Sequence, residues 1–308
     1  MAATPQCRTC PLPLKKGQIY GFLGPNGAGN STTMNIMTGC LAATSGEVRI
    51  GGFDIFEQAQ EAKRLIGYLP EQPPVYPDRT PREYLTFVAR AKGIPEKNIS
   101  GEIDRAMAVT QITDVSERLI KNLSKGYRQR VGIAQAILGD PEIIFLDEPT
   151  VGMDPRQIIE IRDLIQELGR SHTVILSSHI LSEVQAVCQT ILIISKGRLV
   201  ACDTPENLER LFAGTTTVDL AVLGDEGQCR AVLSEVPGVT NLEIHTEGEK
   251  TQVRVDTDRA EADEVCKDIF YAFSGAGLPI VAMTPAKASL EDIFIELTGT
   301  EQGREDHA

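Results

Sequence analysis

The sequence predicts an α/β fold with a mainly parallel sheet, followed by a small α+β domain. Three observations carry that expectation. Short apolar runs such as Ile143–Leu146 (IIFL) and Thr173–Leu176 (TVIL) are each followed by a helical segment, the pattern of strands buried on both faces. A glycine-rich stretch, Gly24 to Thr32, sits between a strand-like and a helix-like segment. From about residue 214 the order becomes β-α-β-β-α-β, that of a ferredoxin-like domain.

Taken in order, Gln18–Leu23 (QIYGFL) reads as a strand and Ser31–Leu41 as the helix after it. Leu65–Leu69 is a short strand. From about Asp78 to Ile120 the pattern is helical and amphipathic, with breaks at Gly93 and Pro95. Ile191–Ile194 and Arg198–Ala201 flank Lys196-Gly197 and predict a closing hairpin. In the second region Thr216–Leu223 alternates like a half-buried strand, and Gln228–Glu235 is helical. Leu242–His245 and Thr251–Val255 read as strands around a turn at Gly248. Ala260–Phe273 is helical and Pro279–Met283 is a strand. In a last helix Ser289 and Asp292 stand at capping-box spacing, and Leu290, Ile293, Phe294 and Leu297 share one face. The polar tail from Gly299 is expected to be disordered.

Composition narrows the function classes. The 308 residues are 42% hydrophobic, enough for a large core, and carry a formal net charge of -13. So acidic a chain does not suit a broad basic nucleic-acid surface. It remains compatible with a local phosphate site built from aimed amides. The seven cysteines are scattered, unlike a disulfide framework. Cys7 and Cys10 form a lone CxxC without the second pair that a zinc site needs. No apolar run reaches the roughly 18 to 20 residues that span a bilayer, and Met1–Leu14 has no signal-peptide core. These features predict a cytosolic chain that reaches a membrane only through a partner.

Gly24 to Thr32 reads GPNGAGNST, in the strand-to-helix context that a phosphate-binding P-loop requires. Gly24, Gly27 and Gly29 let the backbone wrap closely around phosphates, with Pro25, Asn26, Ala28 and Thr32 completing the loop. Loop amides and the helix start would point at the anion, and the Ser31 hydroxyl is placed to ligate Mg²⁺. The motif wants lysine at position 30, and this chain has Asn30. A full charge is replaced by a neutral donor on a shorter stem, so hydrolysis should suffer more than nucleotide binding. Lys15 and Lys16, at the far end of the strand, should not substitute. The run IIFLDE ends in two carboxylates at the carboxyl edge of a strand, where α/β folds bind ligands. Asp147 is the candidate Mg²⁺ ligand, and Glu148 the candidate for polarising the attacking water.

Leu123–Gln129 (LSKGYRQ) resembles the signature motif of ABC ATPases, in its LSKGYxQR variant. DEPT at 147–150 with VGMDP at 151–155 resembles the family's second acidic motif and its D-loop, which includes Asp154. His179, in SSHIL, matches the switch histidine. Gly67–Pro77 (GYLPEQPPVYP) resembles the Q-loop; Gln72 is the preferred metal-site candidate there, and Glu71 the other. The resemblance spans about Lys16 to Pro205, is strongest to ATPases of ABC-2-type exporters, and includes the ending SLEDIFIELT. It implies a RecA-like P-loop NTPase core over 15–213, with a helical subdomain at about 78–139. A ferredoxin-like accessory domain would occupy 214–298. It also implies ATP and Mg²⁺ as ligands, and a head-to-tail dimer. In that dimer Ser124 and the Gly126 amide face the γ-phosphate held by the opposite subunit. His179 would contact the γ-phosphate and position water, and a separate membrane permease would be driven from the inner face of the membrane. A homodimer would carry Asn30 in both sites, whereas a heterodimer could keep one lysine. Family members carry two strands and an adenine-stacking aromatic before the P-loop strand. Met1–Leu14 shows neither, which implies a weaker hold on adenine. Two other readings stay open, a degenerate regulatory subunit and a non-transport ABC ATPase.

Overall fold

The computed structural model describes residues 14–25, 27–212, 216–248, 250–259, 261–286 and 290–299. The Cys7/Cys10 pair, Asn26, Ser289 and the tail beyond Gly299 lie outside the described residues. The chain forms two compact units, the first ending at Asp203 and the second beginning at Thr204.

In the first unit β1 (Ile19–Leu23) runs into the glycine-rich loop and α1 (Asn30–Met37). The helix is shorter than the sequence pattern suggests: Thr38 caps it and Gly39 follows at φ 69°, a left-handed turn that ends the helix. Next come β2 (Arg49–Ile50) and β3 (Phe53–Asp54), a tiny antiparallel hairpin turned at Gly51-Gly52. Periodicity gave no warning of it, because two residues per strand carry no pattern. After α2 (Ala59–Arg64) and β4 (Ile66–Leu69), the helices α3 (Pro81–Ala91) and α4 (Glu96–Val109) fall in the stretch read as helical, and α5 (Lys125–Ile137) follows it. Thr80 opens α3 with a capping box to Glu83 and Pro81 at the first helical position. The break at Gly93 (φ 73°) and Pro95 falls between α3 and α4. The helical pattern does not continue to Ile120. Gln111 at φ 55° ends it, and two short 3₁₀ turns, Thr113–Val115 and Ile120–Asn122, lead to α5.

The remaining elements are β5 (Ile143–Asp147), α6 (Pro155–Gly169), β6 (Thr173–Ser178), α7 (Leu181–Val187), β7 (Thr190–Ser195) and β8 (Arg198–Asp203). Six strands form one sheet in the order β4-β5-β6-β1-β7-β8, parallel except for the closing β7–β8 hairpin. Both faces of β1 are covered. Tyr20 and Phe22 pack with Met34, Phe145 and Ile175 on one side. On the other, Gly21 lies so close to α7 that an added Cβ would stand 2.2 Å from Val184 Cγ1. β1 is also where the strand order reverses, with β6 on one side and β7 on the other. At such a switch point the loops leaving the carboxyl ends splay apart and leave a crevice.

The second unit comprises α8 (Pro205–Phe212), β9 (Thr216–Leu223), α9 (Glu226–Leu233), β10 (Val239–Glu247), β11 (Lys250–Thr257), α10 (Ala262–Gly275), β12 (Ile280–Ala286) and α11 (Leu290–Gly299). Its sheet is antiparallel in the order β10-β11-β9-β12, the ferredoxin-like arrangement. Alternation along β9 buries Val218, Leu220 and Val222 against Cys229, Val265, Ile269 and Phe273 of α9 and α10.

Candidate functional site

Four segments converge on a cleft of about 410 Å³ lined by Gly24, Pro25, Gly27, Gly29, Asn30, Ser31, Thr32, Glu71, Glu148, Val151 and His179. The glycine loop follows β1, Glu71 follows β4, Glu148 and Val151 follow β5, and His179 follows β6. The cleft therefore lies at the carboxyl edge of the sheet, from the switch point at β1 across β6 and β5 to β4.

Local geometry explains the loop's residues. Gly27 and Gly29 take φ 82° and 107°, values that L side chains rarely adopt. Gly24 is excluded from growth for a different reason: an added Cβ would lie 2.7 Å from the Ile194 carbonyl oxygen. Ala28 is buried beneath the loop; its amide donates to Pro25 O (2.9 Å) and its carbonyl accepts from Gly197 N (2.8 Å). Asn30 begins α1 and turns inward, Nδ2 donating to Gly24 O at 3.3 Å. Its Oδ1 is buried with no hydrogen-bond partner among the described residues.

Asp147 is only 3% exposed. Its Oδ1 accepts from Ser177 Oγ at 2.6 Å and from Ser31 Oγ at 3.2 Å. Ser177 Oγ in turn accepts from the Glu148 amide at 3.0 Å, so one hydroxyl fixes both acidic residues. Glu148 takes φ 47°, a left-handed position that turns its side chain off the strand end, beside His179. Nδ1 of His179 lies 3.0 Å from both Glu148 carboxylate oxygens. Desolvation pushes the Glu148 carboxyl above its ordinary range; the hydrogen bond and charge of His179 oppose this, while Asp147 and Glu183 add to it.

Among the described residues, the lining contains no lysine or arginine. Attraction for a phosphate must come from loop amides, the start of α1 and a bound cation. Ser31 Oγ and the Asp147 carboxylate are adjacent hard oxygens, the donor type Mg²⁺ takes when substrate phosphates complete its shell. Lys16 is far from this edge, paired at 3.7 Å with Glu142 at the amino end of β5.

Other predicted site residues stand elsewhere. Gln72 is exposed and, among the described residues, it is Glu71 that lines the cleft at this loop. Ser124, Gly126 and Asp154 are also outside that lining. Ser124 caps α5 by accepting from Tyr127 N at 3.3 Å, and Asp154 caps α6 by accepting from Gln157 N at 3.0 Å. The two helix starts adjoin: a Cβ on Gly126 would stand 3.0 Å from the Gln157 side chain. Sequence reasoning gave Ser177 no site role, and gave Val151 none beyond its place in the D-loop stretch, since their positions depend on strand register and loop path rather than on residue type.

Comparison with known proteins gives the family of the chain. Residues 8–151 match the family model described as ABC transporter. The bacitracin transport ATP-binding protein BcrA of Bacillus licheniformis is 34% identical over 93% of this chain and 90% of its own length. The chain belongs to the ABC transporter family. As an ABC ATP-binding protein it also resembles the linearmycin resistance ATP-binding protein LnrL of Bacillus subtilis (strain 168), at 29% identity over 93% of this chain and 91% of that one. Among solved structures, cbiO1 from Clostridium perfringens, part of the ABC transporter complex cbiONQ, superposes with a TM-score of 0.60. That match has 25% identity and covers 75% of this chain and 89% of the other. The ABC ATPase fold thus accounts for the strand order around β1. Among the described residues no helix is long and apolar enough to cross a membrane.

Proposed function

We propose that this ABC ATP-binding subunit binds ATP with Mg²⁺ in the cleft beside β1 and drives a separate membrane permease, as part of an exporter. The carrying observation is the convergence of the glycine loop, Ser31, Asp147, Glu148 and His179 on one sheet edge. In this reading the loop amides and Thr32 bind the nucleotide phosphates. Ser31 and Asp147 hold Mg²⁺, which when bound polarises phosphoryl oxygens and offsets charge in the transition state. Glu148 orients and polarises the attacking water, and His179 holds the Glu148 carboxylate in place. The partial desolvation of Glu148 suits a base, because it makes the carboxylate a better proton acceptor. The resistance and transport names of the relatives support an exporter attached to the inner membrane face through its permease. Two subunits would pair so that Ser124, Gly126 and Asp154 of each complete the other's site.

Asn30 separates binding from turnover and also supports a second reading, a nucleotide-binding regulatory subunit. Calorimetric titration with ATP tests the common core of both. Binding should require Mg²⁺ and should weaken sharply in Asp147→Ala. Equal affinity in EDTA would contradict the roles of Ser31 and Asp147.

A further inference from the structure

We infer that Glu183 is a positioning residue for hydrolysis, tying the loop that carries Glu148 to the loop that carries His179. Glu183 stands in the first turn of α7 and is 6% exposed. Its Oε2 accepts from Thr150 Oγ1 at 2.5 Å and from Ser178 Oγ at 3.2 Å. Thr150 is two residues beyond Glu148, and Ser178 immediately precedes His179. Both hydroxyl residues are themselves buried, at 4% and 1% exposure. Ser178 Oγ also accepts from Ile180 N at 3.1 Å, which pins the far side of His179.

A carboxylate removed from water is costly unless hydrogen bonds replace the lost solvation. Among the described residues no lysine or arginine pairs with Glu183, so the two hydroxyls carry that role. One donor comes from the loop after β5 and the other from the end of β6. Glu183 is therefore satisfied only when both loops are seated together. The Glu148–His179 contact at 3.0 Å spans the same two loops one side chain further out, toward the cleft. Ser177 fixes the base of the Glu148 loop, and Glu183 fixes its continuation.

The inference rests on the proposed roles of Glu148 and His179, and the test separates the two. Hydrogen exchange by mass spectrometry is run on the full chain and on Glu183→Ala, Glu183→Gln and Thr150→Val. Glu183→Ala should speed exchange in segments 148–151 and 177–180 together, leaving β9–β12 unchanged. Glu183→Gln keeps an oxygen that can accept both hydroxyls, and should restore protection. Thr150→Val should loosen 148–151 alone, and it serves as the test if Glu183→Ala does not fold. In an Asn30→Lys background, Glu183→Ala should lower kcat about tenfold to 10²-fold, the scale of a misplaced catalytic group. KM for ATP should be unchanged and Glu183→Gln should recover most of the rate. Faster exchange confined to α7, an unchanged kcat, or a Gln variant as damaged as the Ala variant would overturn the inference. If the Asn30→Lys chain hydrolyses nothing, the proposed function fails while the exchange result still decides the positioning role.

Discussion

Asn30 stands where the P-loop motif has lysine, yet its side chain folds back on Gly24 and leaves Oδ1 buried without a partner among the described residues. Asn30→Lys removes that orphaned acceptor and adds a charge-assisted contact, worth about 1.5 to 3 kcal/mol. ATP should therefore bind about 10- to 100-fold more tightly, read by calorimetry. Glu148 gives a second prediction at this scale. Its carboxyl is held above the ordinary range by desolvation, and a base must be ionised to work, so the acid limb of the rate–pH profile should lie above that of a solvated glutamate. His179 lowers the Glu148 value, so His179→Ala should move the limb to still higher pH; a limb that stays put would contradict the pairing. The glycine loop, Asp147, Glu148 and His179 were legible because their residue types sit at motif spacings. Glu183, Thr150 and Ser177 were not. A threonine, a serine and a glutamate carry no signal until strand register places β5 beside β6.

Elements were legible where a pattern was long enough to repeat. β5, β6 and β9 begin where apolar runs or strict alternation begin, and Gly93-Ile94-Pro95 marks the break between α3 and α4. The β2–β3 hairpin and the end of α1 were not legible, since they depend on single glycines at positive φ. Close backbone approach is equally silent in sequence. At Gly67 of β4 a Cβ would stand 2.2 Å from the Ala136 carbonyl oxygen of α5, and no flexible side chain is there to yield. Gly67→Ala should cost about 1 to 3 kcal/mol of stability, the range for overpacking, measured by denaturant unfolding. The strand and helix involved lead to Glu71 and from Ser124, so the same change should disturb both the cleft and the signature segment.

At the scale of the molecule, the order of strands around β1 places the crevice before any side chain is considered. The helical stretch and the strand order of the second unit were foreseeable from pattern, but the function of neither follows from its fold alone. Ser124, Gly126 and Asp154 have capping or packing roles in the single chain, and their proposed second role belongs to a pair of chains. That proposal predicts that an Asn30→Lys/Glu148→Gln chain, which binds ATP without turning it over, sediments as a dimer with MgATP. Adding Ser124→Arg should leave it monomeric; a dimer that survives this change would contradict the pairing. The central claim is that this is an ATP-hydrolysing site whose turnover is limited at position 30. The most direct test is the steady-state ATPase rate at saturating MgATP, before and after Asn30→Lys. A rise of about 10²- to 10³-fold, the scale of one restored transition-state donor, is predicted. An unchanged rate would contradict the claim.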